Sequence, residues 1–230
     1  MGRRANKEER PAKPHESANP WLSIPAADYE GHMSHFDVRQ LQFLNCVFRE
    51  ILGRFHPGSI AVLGCSTGNG FEHIDTTITR CVIGIDINPE YLRVLQSRFA
   101  QQIPGLKLLC SDITECELEP RSIDLVHCAL VLEYVEPTIV IEKAASWLRP
   151  GGCMSVVLQL ASPGRDKVTD TGFESVKRLQ PVMRLVEPDE LGRIAGTAGL
   201  RETSSRVDTL ESGKQFHVGL YEKAGTRERR

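Results

Sequence analysis

Short apolar runs alternate with longer amphipathic segments along most of this chain. Residues 60–63 and 81–85 are rich in β-branched residues and show no polar alternation, as is typical of parallel strands buried on both faces. Similar apolar runs follow at residues 106–110, 122–135 (running into a short helical turn) and 153–160. Helical spacing of apolar residues appears at 37–55, 89–99, 140–148 and from 188. This alternation predicts an α/β protein with a mostly parallel, doubly wound sheet and helices on both faces.

The two ends of the chain differ from this pattern. Residues 1–19 are rich in Arg, Lys, Glu and Pro, with few large apolar groups. Such a segment cannot bury enough surface to offset the entropy of ordering, so we expect a disordered tail. A frayed tail is expected at 223–230. The remaining residues, 20–222, have the size of a single domain.

A loop rich in glycine follows the first predicted strand. Gly64, Gly68 and Gly70 allow the backbone to approach a ligand closely at a helix N-terminus. The second strand ends on Asp86, and an acid there can accept both hydroxyls of a ribose. We expect a helix of about three turns between these strands, which completes a βαβ unit. The unit predicts a nucleoside-cofactor site.

Charge and composition argue against nucleic-acid and membrane partners and against a disulfide-bonded protein. The formal net charge is −2, so no global positive field favours nucleic acid or an anionic membrane. No apolar run approaches the ~20 residues of a membrane-spanning helix, and no secretory signal is visible. The cysteines number 7, and no Cys-x-x-Cys pair occurs. We therefore expect no disulfide framework and no metal site, and a cytoplasmic location. Cys65, inside the glycine loop, is the thiol most worth testing for reactivity.

The spacing of the glycines separates two kinds of cofactor. A dinucleotide fingerprint requires Gly-x-Gly-x-x-Gly, but His73 stands where the third glycine would follow Gly68 and Gly70. Residues 25–222 instead resemble the class I S-adenosylmethionine-dependent methyltransferases, whose first motif is acid-x-Gly-x-Gly-x-Gly. The sequence Leu-Arg-Pro-Gly-Gly at 148–152 is a further point of resemblance. We align this sequence so that it departs from the family's first motif at two positions. Gly64 stands where the family has an acid, and Ser66 stands where it has the first glycine.

The resemblance implies a fold and a set of cofactor contacts. The fold is a seven-stranded sheet whose last strand is antiparallel, with a lid and helix at 20–57, a cofactor-binding core at 58–160, and a substrate-pocket segment with the last strands at 161–222. The cofactor is S-adenosyl-L-methionine. Asp86 would bind its ribose and Asp112 its adenine amino group, although Asp112 alone also fits a turn cap. The full set of implied cofactor contacts is Tyr29, Gly64, Cys65, Ser66, Gly68, Gly70, Asp86, Ile87, Asp112, Ile113, Cys128 and Ala129.

Candidate catalytic residues lie in the presumed lid and in the family's fourth motif. Direct displacement at the sulfonium methyl needs no covalent intermediate, but a hydroxyl or amine acceptor benefits from a base within reach. His32, His35 and, behind them, Glu133 are the candidates. His127, within the fourth predicted strand, is interpreted as structural.

Two functional hypotheses remain open at this stage. The first is methyl transfer to a small-molecule acceptor, with no nucleic-acid or membrane partner and an undetermined oligomeric state. The alternative is a protein that binds S-adenosylmethionine or S-adenosylhomocysteine without transferring a methyl group, as the departures at Gly64 and Ser66 suggest. A nicotinamide-dependent oxidoreductase shares the βαβ unit but is disfavoured by the glycine spacing and by Asp112.

Overall fold

A computed structural model describes residues 19–225, which form a seven-stranded sheet flanked by helices. The predicted tails at 1–19 and 223–230 therefore lie mostly outside the described residues. Asn19 caps a 3₁₀ turn at Pro20–Ser23, and the last strand includes Lys223, so the described domain exceeds 20–222 slightly at both ends.

The helices and strands follow one another in the predicted alternation. The helices are α1 (Ala26–Ser34), α2 (Gln40–Phe55), α3 (Pro89–Phe99), α4 (Pro137–Trp147), α5 (Glu174–Lys177) and α6 (Pro188–Thr197). The strands are β1 (Ser59–Leu63), β2 (Cys81–Asp86), β3 (Leu106–Cys110), β4 (Ile123–Ala129), β5 (Leu148–Gln159), β6 (Leu200–Thr209) and β7 (Gln215–Lys223).

The sheet has the strand order β3-β2-β1-β4-β5-β7-β6. Neighbours from β3 to β5 pair in parallel, whereas β7 runs antiparallel to both β5 and β6. The predicted fold class is thereby confirmed, including the antiparallel last strand. Because β7 is antiparallel, its first residues lie beside Gln159 at the carboxyl edge of β5. That edge also holds the ends of β1, β2 and β4, where open α/β sheets bind their ligands.

Both faces of the sheet are covered. Side chains alternate along β1, so that Ala61 and Leu63 pack with α4 and α6, whereas Ile60 and Val62 pack with α2 and α3. The strands are therefore buried on both faces, which explains their unbroken apolar runs.

The segment after β1 differs from the prediction. A helix of about three turns was expected there, but the chain makes only a 3₁₀ turn at Phe71–His73. Gly68 and Gly70 have φ of +89° and +87°, which interrupt any helix through this loop. Phe71 is buried within the apolar cluster beside Phe48, so packing rather than a helix supports the loop.

The central strand β4 carries a buried histidine. His127 is 5% exposed, its Nδ1 lies 3.2 Å from Ser155 Oγ, and its ring stacks on Phe48 with centroids 4.5 Å apart. Desolvation lowers the pKa of His127 to about 4. The side chain does not line the cavity at the carboxyl edge, in agreement with the structural role expected for it.

We expect this histidine to make stability depend on pH. The unfolded chain takes up the proton below pH 6.5 and the folded chain only near pH 4, so the free energy of unfolding falls as pH drops through this window. Urea titrations should give a free energy of unfolding that is lower at about pH 5 than at pH 7, by about 2 kcal/mol for one such group. His127→Gln should reduce this difference, whereas His56→Gln, at an exposed histidine, should not. An equal pH dependence in all three proteins would contradict the assignment.

Candidate active site

One cavity lies at the carboxyl edge of the sheet, with about 1090 Å³ of empty space including its opening to solvent. The ends of β1, β2 and β4 form one side of it, through Gly64, Asp86 and Ala129. Helix α1 and the segment between β5 and α6 form the other side. The ligand cavity is therefore at the edge that the parallel topology predicts.

Asp86 is held by the loop beneath it. Its Oδ2 accepts the Ser66 N–H at 2.8 Å and its Oδ1 accepts the Asn88 N–H at 2.8 Å. Asp86 is 7% exposed, and desolvation raises the pKa of its carboxyl group although these backbone donors lower it. Each oxygen retains a lone pair for a further donor. Asp86 can therefore accept the two hydroxyls of a ribose while its orientation stays fixed.

The structure shows the turn-cap role of Asp112 and also places this residue at the cavity. Its Oδ1 accepts both the backbone N–H of Thr114, at 2.8 Å, and the Thr114 hydroxyl, at 2.7 Å, so the residue does cap a turn. Asp112 also lines the cavity beside Ile113, and the other carboxylate oxygen is not used by this turn. The arrangement fits recognition of an exocyclic amino group.

The glycine loop shows that the motif lies two residues earlier than assigned. Gly64 has φ of +64° and lines the cavity, and a Cβ at this position would lie 2.5 Å from Val131 Cγ2. An acidic side chain does not fit there, so Gly64 occupies the position of the motif's first glycine. Val62, inside β1, then stands at the position of the acid, and Ser66 at the second glycine. The Ser66 hydroxyl lines the cavity, is buried and has no hydrogen-bond partner within residues 19–225.

Several predicted cofactor contacts face away from the cavity. The Cys65 thiol packs against Gly84 in β2, and burial raises its pKa well above the ordinary range, so it is neither a contact nor a reactive thiol. A Cβ on Gly68 would meet Phe99 and Leu95, and the Cys128 side chain is fully buried in the core. Gly70 likewise packs against the aromatic cluster of α2. By contrast, the predicted contacts that do line the cavity are Tyr29, Gly64, Ser66, Asp86, Ile87, Asp112, Ile113 and Ala129.

Helix α1 covers the cavity and is tied to the cofactor loop. Glu30 accepts hydrogen bonds from the Thr67 hydroxyl at 2.5 Å and from Arg98 Nη2 at 3.1 Å. Tyr29, on the inner side of this helix, lines the cavity, and burial raises its pKa to about 12, so it stays protonated. The segment predicted to form a lid is thus the helix α1 rather than an irregular loop, and its role as a lid stays a prediction.

The three candidate catalytic side chains are not brought together. His32 lines the cavity from α1, with Nδ1 2.8 Å from Thr171 Oγ1, and desolvation lowers its pKa to about 4. His35 does not line the cavity; its Nδ1 faces Asp37. Glu133 is 1% exposed and also lies outside the cavity lining, where its Oε1 accepts the Gln159 N–H at 2.8 Å. Burial raises the Glu133 pKa to about 7, but the carboxyl group lies in the core.

The far half of the cavity was not predicted residue by residue. Trp21, from the N-terminal 3₁₀ turn, packs edge-on against Tyr134 with ring centroids 4.9 Å apart. The apolar side chains that form this half, here called the apolar chamber, are Trp21, Ile24, Tyr134, Val168, Val176, Leu179 and Met183. Because open α/β sheets bind ligands at the carboxyl ends of their strands, the sequence could have indicated Gln159, which lines the cavity at the end of β5. No comparable signal marks Gln40, whose Nε2 donates to Gln159 Oε1 at 3.1 Å.

Residues 19–225 contain neither a cluster of metal ligands nor a membrane-spanning helix. In this part of the chain no group of three His, Cys, Asp or Glu side chains is placed to hold a metal ion. No helix in the same range is long and apolar enough to cross a bilayer.

The geometry and a family comparison both point to a methyltransferase domain. The fold and the cavity resemble those of the class I S-adenosylmethionine-dependent methyltransferases, and this likeness supports S-adenosylmethionine as the cofactor. Residues 60–152, which contain β1 to β4 and the start of β5, match the family described as a methyltransferase domain.

Curated relatives carry the same activity in their names. A ubiquinone biosynthesis O-methyltransferase of Xanthomonas axonopodis pv. citri is 27% identical over 71% of this chain and 72% of its own length. Two further proteins of this name, from Xanthomonas euvesicatoria pv. vesicatoria and Xanthomonas campestris pv. campestris, are 28% identical over 52% and 63% of this chain and over 53% and 64% of their own lengths. The matches thus leave a substantial part of each relative uncovered.

Solved structures share the fold at low identity. The N-methyltransferase NodS of Bradyrhizobium japonicum WM9, in complex with S-adenosyl-L-homocysteine, superposes with a TM-score of 0.64 at 16% identity, covering 89% of this chain and 98% of that one. The [4+2]-cyclase SpnF has a TM-score of 0.65 at 12% identity, over 80% of this chain and 82% of its own. This fold therefore also serves an enzyme whose name describes a different reaction.

Proposed function

We propose that the protein transfers the methyl group of S-adenosylmethionine to a hydroxyl oxygen of a small, largely apolar acceptor, by direct in-line displacement. One observation carries the proposal: the cavity joins a polar end, at Asp86 and Asp112, to the apolar chamber, with His32 lining the same space. The polar end suits the nucleoside of the cofactor, and the chamber suits an acceptor of low polarity. The names of the curated relatives support oxygen as the acceptor atom.

His32 is proposed as the base that takes the hydroxyl proton. A histidine with a pKa of about 4 is neutral at pH 7, so one ring nitrogen is available as an acceptor. If Nδ1–H donates to Thr171 Oγ1, Nε2 is that acceptor. The sulfonium supplies the leaving group, so the remaining tasks of the protein are to align the two reactants and to exclude water.

The proposal is tested by the choice of acceptor. S-adenosylhomocysteine formation is measured with three sets of apolar aromatic molecules of equal size that differ only in bearing a hydroxyl, an amino or a thiol group. We expect turnover with the hydroxyl acceptors. When the transferred methyl group is made chiral, we expect inversion of configuration at the methyl carbon. Turnover confined to amines or thiols would contradict an oxygen acceptor.

A second candidate is favoured by Val62 and Ser66. With Val62 in place of the motif's acid, the loop offers no carboxylate to the ammonium of the methionine moiety, so a role in binding without transfer remains the alternative. It predicts saturable cofactor binding with no S-adenosylhomocysteine formation from any of the three acceptor sets.

A further inference from the structure

Two lysines lie near Gln159, at the carboxyl end of β5. Lys167 lines the cavity, and Lys214, which directly precedes β7, is only 2% exposed. A second depression, lined by both lysines and by Arg165 and Asp166, meets the first cavity at Gln159 and Lys167. Lys167 therefore borders the space proposed for the acceptor, and Lys214 lies behind it in the adjoining depression.

Neither ammonium group has a carboxylate partner. The Lys214 Nζ donates to the Lys167 carbonyl at 2.9 Å, and the Lys167 Nζ donates to the Met183 carbonyl at 2.5 Å. Within residues 19–225 no carboxylate lies within ion-pair distance of either nitrogen. A lysine ammonium has three donors, so each group retains donors for a ligand.

A buried charge without a counter-ion is costly unless a ligand compensates it. Desolvation lowers the pKa of Lys214 to about 8, with exposed Asp166 acting in the opposite direction and Arg165 in the same direction. At pH 7 most molecules therefore still carry the charge. Lys214 also helps to lower the pKa of His32, so its positive charge is felt at the proposed base.

Position in the sheet assigns this charge to the acceptor rather than to the cofactor. Lys214 lies next to Gln215, at the start of β7, whereas the ribose ligand Asp86 ends β2. In the order β2-β1-β4-β5-β7, four strand spacings of about 4.8 Å separate these two positions. The cationic end and the nucleoside end thus lie at opposite sides of the cavity.

We propose that Lys214 and Lys167 bind an acidic group, a carboxylate or a phosphate, carried by the methyl acceptor. This inference rests on the proposed function for the site and narrows its substrate class to apolar molecules with an anionic substituent. The same contact anchors the acceptor, so that the apolar part occupies the chamber beneath His32.

The test is a binding measurement that needs no turnover. Protein saturated with S-adenosylhomocysteine is titrated calorimetrically with 4-hydroxybenzoate and its neutral analogue 4-hydroxybenzamide, and separately with inorganic phosphate. We expect the carboxylate to bind at least tenfold more tightly than the amide. Lys214→Gln should abolish this preference and Lys214→Arg should retain it. If phosphate competes with the carboxylate, the lysines form a general anion site. If phosphate does not compete, the site is specific for carboxylates.

A control variant distinguishes this effect from the loss of any lysine that donates to main-chain carbonyls. Lys223 also donates to main-chain carbonyls, those of Ala145 and Leu148, but it does not line the cavity. Lys223→Gln should leave the preference for the carboxylate intact. Equal binding of acid and amide, no saturable binding of any anion, or a preference unchanged in Lys214→Gln would each overturn the proposal.

A further readout separates the possible failures. If Lys214→Gln weakens binding of S-adenosylhomocysteine itself, the cation serves the cofactor's carboxylate and the proposal is wrong. If the acid preference is present but hydroxyl acceptors are not methylated, the anion site stands and the proposed reaction fails.

Discussion

Asp86→Ala should weaken binding of S-adenosylhomocysteine by about 100-fold or more. The change removes the carboxylate proposed to bind the ribose and leaves the N–H groups of Ser66 and Asn88, which now donate to it at 2.8 Å, without their acceptor. Losing charge-assisted hydrogen bonds in a desolvated site costs about 3 kcal/mol or more, which is roughly this factor in affinity. Isothermal titration of the folded variant measures it.

The chain offers a close control for this substitution. Asp124, at the opposite edge of the sheet, also accepts two backbone N–H groups, from Gly58 at 2.8 Å and Ser59 at 2.9 Å. Asp124→Ala should lower the free energy of unfolding but leave cofactor affinity within about twofold. Equal losses of affinity in both variants would mean that Asp86 acts through stability alone.

His32→Ala should lower kcat by about 100-fold or more, the usual contribution of a positioned base, with little change in cofactor affinity. Of the three candidate bases, only the His32 imidazole lines the cavity. The rate of S-adenosylhomocysteine formation at saturating acceptor measures the effect. His35→Ala, one helical turn away and outside the cavity, is the control and should stay within about twofold of the unchanged protein.

The pH profile tests the same assignment. The base form of His32 is present above its pKa of about 4, so kcat/KM should not fall on this group's account between pH 8 and about 5. An ordinary histidine would begin to lose activity near pH 6.5. An acid limb near pH 6.5 that disappears in His32→Ala would show that the group is far less desolvated than its position implies.

Local patterns predicted the frame of this fold well. The apolar runs of β1 and β2 predict buried parallel strands, and the acids at the end of β2 and just after β3 are therefore expected at the carboxyl edge. The structure places both of them, Asp86 and Asp112, at the cavity. The helix expected after β1 was wrong because the prediction weighed the length of the segment, whereas Gly68 and Gly70, at positive φ, and the packing of Phe71 decided its conformation.

The acceptor end of the cavity could not be predicted in the same way. Lys214 stands in a stretch whose composition is typical of a surface turn. Only the antiparallel pairing of β7 with β5 brings this residue beside Gln159. Glu133 was a plausible base from its motif, but its burial depends on how the turn after β4 packs beneath Gln159. His32 reached the cavity as expected because the helix that carries it is tied to the cofactor loop through Glu30.

The cavity draws on separate stretches of the chain. The matched domain at 60–152 supplies the nucleoside end, whereas residues 160–186 and Lys214 supply most of the apolar chamber and the cationic end. If the two ends have the proposed roles, cofactor binding and acceptor choice depend on separate stretches of the chain. Exchanging residues 160–186 for those of a relative should alter acceptor selectivity while S-adenosylhomocysteine binding persists, so this enzyme offers a natural boundary for engineering new methylations.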